Sequence, residues 1–374
     1  MDKKFITFLA IAILAVALGG FIYFINQDIS PISFNPTPTP KPAANPSSNE
    51  NLLSIEPTKA VDTSIKSLGL TMDNYPLLDG ATSTQPIRML IACEAFDIPC
   101  KWYETESREM FLRADFYSAG ITEYKETEKI SAKIEKNSKT HEAYLSLIKD
   151  EADLILVSTR LSDDELKEAE KLGVKLDLLP VGLDGFIFLV NEKNPIKNLS
   201  TNEIVGIYSG KIKSWNDIAG IDPSLWDEFT GTFSSIKAFT RPVNSGSQEL
   251  MEKLVMKGIA MAPSLKEEVI AFMSPLIDGV EVNANSIGYS LYYYKNNMID
   301  KREYRSRVKL VAVDGIEPNP ENIASKAYPY VFNIYAVTRE DEPKNSPAYR
   351  IKEWLVTKEG QEIIKKAGYV GLGD

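Results

Sequence analysis

The chain has 374 residues, which is enough for two domains with additional segments. Hydrophobic residues make up 44% and charged residues 25%, an ordinary balance for a soluble globular chain. The net charge of −10, with no long Lys/Arg run, argues against a nucleic-acid partner. The single histidine, His141, and two cysteines exclude clustered Cys/His zinc sites and leave a histidine-based triad only one candidate.

An apolar run follows Lys3 and Lys4 at the N-terminus and extends from Phe5 to Ile25. As a helix it is long enough to span a bilayer core of roughly 30 Å. The paired lysines predict that the N-terminus is cytoplasmic and that the remainder lies outside. Because the run exceeds a usual signal-peptide core and no clean cleavage site follows, the pattern favours an uncleaved signal anchor, residues 1–26, over a cleaved signal peptide.

The segment that follows, residues 27–55, is rich in Pro, Asn and Ser. Such a composition cannot bury a core and favours extended conformations. We therefore expect a linker that holds the folded part of the chain away from the membrane.

The two cysteines, Cys93 and Cys100, bound the short segment CEAFDIPC. Outside the cell, this spacing suits a small disulfide loop. Two buried thiols are the alternative, and the spacing does not decide between them.

Two polar turns precede helical patterns in the first half of the chain. Asp79-Gly80 marks a turn, and Thr82, Ser83 and Thr84 follow it before a helical pattern that runs on from Pro86. Residues 137–140, Asn-Ser-Lys-Thr, precede a helix over 141–149. His141, at the start of that helix, is expected to be a solvated surface residue.

A third polar turn follows a strand-like run over 236–240. Arg241 comes first, and Ser245-Gly246-Ser247 then opens a helical pattern. A helix N-terminus carries unpaired N–H groups and a partial positive charge, and the guanidinium of Arg241 suits oxyanions. The alternative is an ordinary Ser-capped helix.

The remaining apolar segments alternate between strand and helix patterns, which indicates an α/β fold. Asp184, within the segment GLDGF, is interpreted as a turn residue between two strands, with a ligand or hinge role as the alternative. Residues 101–136 receive no assignment. The predicted elements are strands at 153–157, 309–313 and 331–337, two strand segments within 176–190, and helices at 163–172, 201–207 and 348–367.

In open α/β sheets, ligands bind at the carboxyl ends of strands, where helix N-termini meet. Three hydroxyl-rich turns around one tetrahedral oxyanion would supply many donors without a metal or cofactor. The spacing by itself does not prove that the turns meet. A lone histidine and the absence of a G-x-S-x-G segment argue against an enzyme.

Several motifs resemble, in order, those of the periplasmic-type phosphate-binding proteins of ABC transporters, in their Gram-positive form. The similarity covers about Tyr75 to Leu372. The motifs are YPLLDGATST, NSKTHEAYLSLIKDEADLILVS, LPVGLDGFIFLVNEKNPIKNLSTNEIVGIYSGKIKSWNDIAG, AFTRPVNSGSQELM, SIGYSLYYY and WLVTKEGQEIIKKAGYV.

The resemblance implies a two-lobed α/β clamp of the type II periplasmic-binding-protein class, with two crossover strands, after an N-terminal transmembrane helix. Lobe I would comprise residues 72–184 and 330–374, and lobe II residues 185–329. The implied function is capture of inorganic phosphate and delivery to an ABC permease and its ATPase. The protein would be a monomer, anchored to the cell membrane by a single pass, with its globular part outside the cytoplasm.

The resemblance also implies a phosphate-binding set drawn from the three turns and from the end of the 153–157 strand. It consists of Thr82, Ser83, Ser138, Lys139, Thr140, Ser158, Arg241, Ser245, Gly246 and Ser247.

One position departs from the family pattern. Family members place an Asp after the strand that matches DLILV, where it accepts the proton of bound hydrogen phosphate, but this chain has Ser158-Thr159-Arg160. Arg160 is expected to form a surface ion pair with Asp163 or Asp164 in preference to contacting a ligand. The alternatives to a phosphate carrier are a carrier of another oxyanion, or a membrane-anchored sensor or interaction protein with the same fold.

Overall fold

The computed structural model describes residues 64–106, 110–218, 235–301 and 306–373. The predicted anchor, residues 1–26, and the predicted linker, 27–55, lie outside these ranges. Within them, none of the helices has the length and apolar character needed to cross a membrane.

The described residues form a mixed α/β fold, as the sequence predicts. Several helices begin at Ser, Thr or Asn caps, and Ser162 and Ser200 each form a full capping box with a Glu three residues on. The helices are α1 (Gln85–Phe96), α2 (Tyr124–Ile134), α3 (Lys139–Ile148), α4 (Asp163–Leu172), α5 (Thr201–Tyr208), α6 (Gly246–Leu250), α7 (Met273–Val282), α8 (Pro320–Ala324), α9 (Pro347–Trp354) and α10 (Lys358–Ala367).

Short 3₁₀ and π segments accompany these helices. They are 3₁₀ turns at Ile65–Leu68, Thr82–Thr84, Trp215–Asp217 and Pro263–Glu268, and π-helices at Met251–Met256 and Tyr294–Ile299. The strands are β1 (Leu78–Gly80), β2 (Cys100–Glu104), β3 (Met110–Ala114), β4 (Leu154–Val157), β5 (Leu176–Asn191), β6 (Asn198–Leu199), β7 (Lys237–Ala238), β8 (Ser286–Leu291), β9 (Val308–Val313) and β10 (Val331–Arg339).

One large sheet has the strand order β1-β4-β10-β5-β8-β7, with β9 pairing β5 and β6. Strands β1 and β4 are parallel, so their carboxyl ends, at Gly80 and Val157, reach the same edge of the sheet. The previously unassigned region contains the antiparallel hairpin β2–β3 and helix α2. A disulfide bond joins Cys93 to Cys100.

Strand β5 is continuous over Leu176–Asn191, so the prediction of two strand segments with a turn at Asp184 is wrong. Its first part pairs with β10, and its last residues pair with β8 and β9. The glycines of GLDG serve packing: a Cβ at Gly182 would lie 2.9 Å from Ile364, and one at Gly185 would lie 3.0 Å from Ile323. The strand therefore links two parts of the sheet without a break.

The C-terminal helical pattern is also divided, because α9 ends at Trp354 and α10 begins at Lys358. The Thr357 hydroxyl accepts a hydrogen bond from Gly360 N–H and so caps the second helix. A Cβ at Gly360 would overlap the Trp354 carbonyl oxygen, so the chain turns tightly between the two helices. The predicted single helix over 348–367 is therefore wrong.

All the described residues fall within one compact unit. Its hydrophobic core is continuous across β5, β8 and the helices that cover them, and it includes Phe186, Phe188, Tyr208 and Tyr289. The predicted division into lobes, 72–184 with 330–374 and 185–329, stays a prediction.

Candidate functional site

A cleft of about 550 Å³ opens where the three polar turns meet. Every residue of the predicted binding set lines it, so the structure brings together segments more than 150 positions apart in the chain. These residues are Thr82, Ser83, Ser138, Lys139, Thr140, Ser158, Arg241, Ser245, Gly246 and Ser247.

The first loop leaves the end of β1 and passes through the 3₁₀ turn Thr82–Thr84 into α1. Pro86 lies in the first turn of α1, where a missing N–H costs no helical hydrogen bond. Thr84 is buried, and its hydroxyl donates to the Leu156 carbonyl of β4, which ties the loop to the neighbouring strand. Ser83 is nearly buried at the wall of the cleft.

The second loop leads into α3 through two residues of opposite backbone twist. Ser138 has φ −82° and ψ −3°, and Lys139 has φ 70°. Such a right- then left-handed pair turns successive N–H groups toward one side and forms an anion-binding concavity. Among the described residues, the N–H groups of Lys139 and Thr140 have no hydrogen-bond partner. They are therefore available to an anion in the cleft.

The third loop carries Arg241 and a serine-capped helical segment. The Arg241 Nε–H donates to Ser247 Oγ at 3.3 Å, and its Nη1–H donates to the Ile270 carbonyl at 3.0 Å. The Ser245 hydroxyl accepts from Gln248 N–H. These contacts hold the guanidinium against the cleft wall while it lines the cavity.

The second and third loops touch at Gly246. A Cβ added there would lie 2.7 Å from Thr140 Oγ1 and 3.7 Å from Ser158 Oγ. A Cβ atom would clash with the short Thr140 side chain at this distance, so only glycine allows the two loops to approach this closely. Lys139 and Phe272 both line the cleft, and the Lys139 ammonium lies 4.5 Å from the centre of the Phe272 ring.

Two buried charged residues, Arg88 and Asp79, hold the first two loops together. Arg88 donates to the Ala81 carbonyl, at 3.1 Å, and to Asn137 Oδ1, at 2.9 Å. Asp79 Oδ1 accepts from Ser138 N–H at 2.8 Å. Burial lowers the Arg88 pKa to about 10. A charged residue within the apolar helix QPIRMLIACEAF was the signal in the sequence that could have identified Arg88.

Ser158 follows β4 and lies buried at the cleft wall. Arg160 is exposed and points away: its guanidinium lies 5.6 Å from the centre of the Tyr335 ring, and its Nε–H donates to the Tyr335 hydroxyl at 3.4 Å. The expected ion pair with Asp163 or Asp164 is therefore wrong, and Arg160 does not line the cleft.

His141 also lines the cleft, so the expectation of a solvated surface histidine is wrong. Its side chain is 23% exposed, and Nδ1 lies 2.9 Å from Glu165 Oε1 of α4. Burial raises the pKa of Glu165, while hydrogen bonds from Ser162 and His141 oppose the shift. Sequence reasoning missed this pair because its two members lie on different helices.

A buried chain of contacts connects the cleft to the middle of β5. The Tyr369 hydroxyl donates to the Ser83 carbonyl at 2.7 Å, and the Tyr369 ring stacks on Tyr293 with 4.1 Å between centres. Tyr293 N–H and Gly185 N–H both donate to Asp184 Oδ1. Burial raises the pKa of Asp184 to about 7.

The cleft thus presents hydroxyls, backbone N–H groups, a guanidinium and an ammonium, a set that suits a small oxyanion. Within residues 64–106, 110–218, 235–301 and 306–373, no group of three or more His, Cys, Asp or Glu side chains could hold a metal ion. An α/β fold with such a donor-lined cleft is the arrangement of a protein that binds a small anionic solute.

The chain belongs to the PBP superfamily, since the profile of the PBP superfamily domain matches residues 114–355. It is 26% identical over 258 residues to the phosphate-binding protein PstS of Staphylococcus saprophyticus, covering 66% of this chain and 76% of that protein. To the phosphate-binding protein PstS of Pseudomonas aeruginosa it is 25% identical over 238 residues, covering 59% of this chain and 68% of the relative.

Solved structures show the same fold. A putative phosphate ABC transporter substrate-binding protein from Clostridium perfringens, solved with bound phosphate, superposes with a TM-score of 0.53 at 22% identity, covering 79% of this chain and 98% of that one. An ABC-type phosphate transport receptor from Vibrio cholerae gives a TM-score of 0.50 at 20% identity, covering 78% and 98% of the two chains.

Proposed function

We propose that this chain is an extracytoplasmic solute-binding protein that captures inorganic phosphate and delivers it to an ABC permease and its ATPase. The observation that carries the proposal is the convergence of three polar loops on one cleft lined by hydroxyls and cations. The names of the relatives, phosphate-binding proteins from several bacteria, support phosphate as the ligand.

The donors of the cleft are sufficient for tight binding of an oxyanion. A hydrogen bond to a charged group contributes about 1.5–3 kcal/mol net. Four such bonds reach roughly the 8 kcal/mol of a micromolar complex. Arg241, the Ser and Thr hydroxyls and the free N–H groups of the second loop exceed that number of donors.

The proposed mechanism is closure of lobe I, residues 72–184 with 330–374, on lobe II, residues 185–329. The closed form binds the anion better than the open form, so the ligand shifts the population toward closure. The close approach of Gly246 to Thr140 supports this mechanism, because these residues belong to opposite proposed lobes.

The protein would bind its ligand without transforming it, as a monomer and without a cofactor or metal. Residues 1–26 would anchor it to the cell membrane by a single pass, and residues 27–55 would act as the linker to the globular part outside the cytoplasm. Delivery to the permease then requires only that the clamp reopen against its partner.

Calorimetric titration of the full-length chain in detergent, with phosphate, sulfate and arsenate between pH 5 and 8, tests the proposal. We expect micromolar or tighter phosphate binding and little heat with sulfate. Equal or preferred sulfate binding would instead indicate a carrier of another oxyanion. A folded protein that gives no heat with any anion would overturn the proposal in favour of a sensor or interaction protein.

Arg241→Ala tests the site itself. The variant should lose phosphate binding while its far-ultraviolet circular dichroism and melting temperature stay close to those of the parent. Arg160→Ala is the matched control, since it removes a guanidinium outside the cleft and should leave the affinity unchanged. Parental affinity in Arg241→Ala would refute the assignment of the site.

A further inference from the structure

Hydrogen phosphate and sulfate have similar size and shape, but hydrogen phosphate carries a proton and sulfate does not. A cleft that binds hydrogen phosphate in preference to sulfate needs a group that accepts a hydrogen bond from the protonated phosphate oxygen. The cations Lys139 and Arg241 can only donate, as can the backbone N–H groups. The Asp79 carboxylate lies buried behind the loops and accepts from Ser138 N–H. The Ser and Thr hydroxyls of the cleft can accept a hydrogen bond, but each can also rotate to donate one to sulfate, so they do not by themselves separate the two anions. A group that only accepts must therefore be sought elsewhere on the cleft wall.

His141 is positioned to be that acceptor. It lines the cleft, and its Nδ1 lies 2.9 Å from Glu165 Oε1, on the side of α4. The other oxygen of Glu165 accepts from Ser162 N–H at 2.7 Å, which fixes the carboxylate in place. Among the described residues, His141 Nε2 has no hydrogen-bond partner, and it is not a buried atom.

A carboxylate oxygen accepts hydrogen bonds, so the pair with Glu165 places the neutral imidazole's proton on Nδ1. In this tautomer Nε2 carries no hydrogen and has a lone pair that can accept a hydrogen bond. We propose that His141, oriented by Glu165, accepts the hydrogen bond of the protonated phosphate oxygen through Nε2 and so selects hydrogen phosphate over sulfate. This inference rests on the proposed function and names a residue that determines its specificity.

The other charged groups around His141 do not compete equally for this role. Glu142 is the remaining carboxylate on the cleft wall, but its side chain is exposed and would accept from water. His141 is the cleft acceptor whose orientation a buried partner fixes.

Because the chain has one histidine, the test can observe it directly. The full-length protein in detergent, labelled with ¹⁵N in histidine only, would be studied at pH 8.5, above the range in which histidines ordinarily carry charge. We expect the free protein to show the Nδ1–H tautomer. Saturating phosphate should shift the Nε2 resonance, and sulfate at the same concentration should not.

Calorimetry on variants completes the test. His141→Leu should bind phosphate about 10- to 100-fold more weakly, the loss of one hydrogen bond to a charged ligand, with its sulfate affinity unchanged. His141→Gln places an amide oxygen near the position of Nε2 and should restore part of the preference. Glu142→Gln should keep the full preference for phosphate over sulfate.

The outcomes separate this inference from the proposed function. If the parent protein binds no phosphate, both fall. If it binds phosphate but Nε2 does not shift, or the free tautomer is Nε2–H, or His141→Leu keeps the preference for phosphate, only the role of His141 is overturned. Loss of the preference in Glu142→Gln, with His141→Leu unaffected, would also overturn it by assigning the role to Glu142.

Discussion

The buried carboxyl of Asp184 should make the stability of this protein fall as the pH rises. Its pKa is about 7 in the folded chain, because burial disfavours the ionised form, against a reference value of 3.8. Between these two values the folded state binds more protons than the unfolded state, so the free energy of unfolding decreases with pH. The stabilisation is complete below pH 3.8 and is lost as the pH passes 7.

The size of the effect follows from the shift. About three pKa units at 1.36 kcal/mol each amount to roughly 4 kcal/mol. Asp184→Asn cannot ionise, so it removes this contribution. One carboxylate oxygen already accepts from Gly185 N–H and Tyr293 N–H, a role that an amide oxygen can keep. The variant should therefore gain stability relative to the parent by up to about 4 kcal/mol between pH 4 and 8.

Urea unfolding of both proteins across this pH range measures the difference. Val181→Ala, a buried and uncharged change in the same strand, serves as the control and should cost the same free energy at every pH. If the difference between the parent and Asp184→Asn stays constant within about 1 kcal/mol over the range, Asp184 ionises freely in the folded state and the argument fails.

Three further changes test other parts of the structure. Arg88→Met should lower the free energy of unfolding by about 3–5 kcal/mol, since it leaves the Ala81 carbonyl and other buried acceptors without their partner; a loss below about 1 kcal/mol in urea unfolding would contradict this. Gly246→Ala should weaken phosphate binding at least about tenfold in calorimetry, a loss of some 1.4 kcal/mol, because the added Cβ would clash with Thr140. An unchanged affinity would show that binding does not require the two loops to touch. Replacing Cys93 and Cys100 by Ala should cost about 2–3 kcal/mol in chemical unfolding, the loop-closure entropy of a short disulfide loop, and an unchanged midpoint would count against it.

Local pattern was a good guide to the elements around the cleft. The helices after residues 84, 138 and 245 begin where hydroxyl-rich turns precede apolar periodicity. These signals are local, because capping and helical periodicity involve residues within a few positions of one another. The same approach failed at GLDG, where glycines suggested a turn but serve close packing inside a continuous strand.

The sequence alone therefore identified the residue types of the candidate site. It placed them in three polar turns, each of which could also have been an ordinary turn before a helix. Whether the turns meet depended on the tertiary structure: parallel pairing of β1 with β4 brings two strand ends to one edge, and Gly246 reaches Thr140. The same long-range packing places Arg88 against Asn137 and His141 against Glu165. No local pattern encodes such contacts, because they depend on strand order and helix packing between segments distant in the chain.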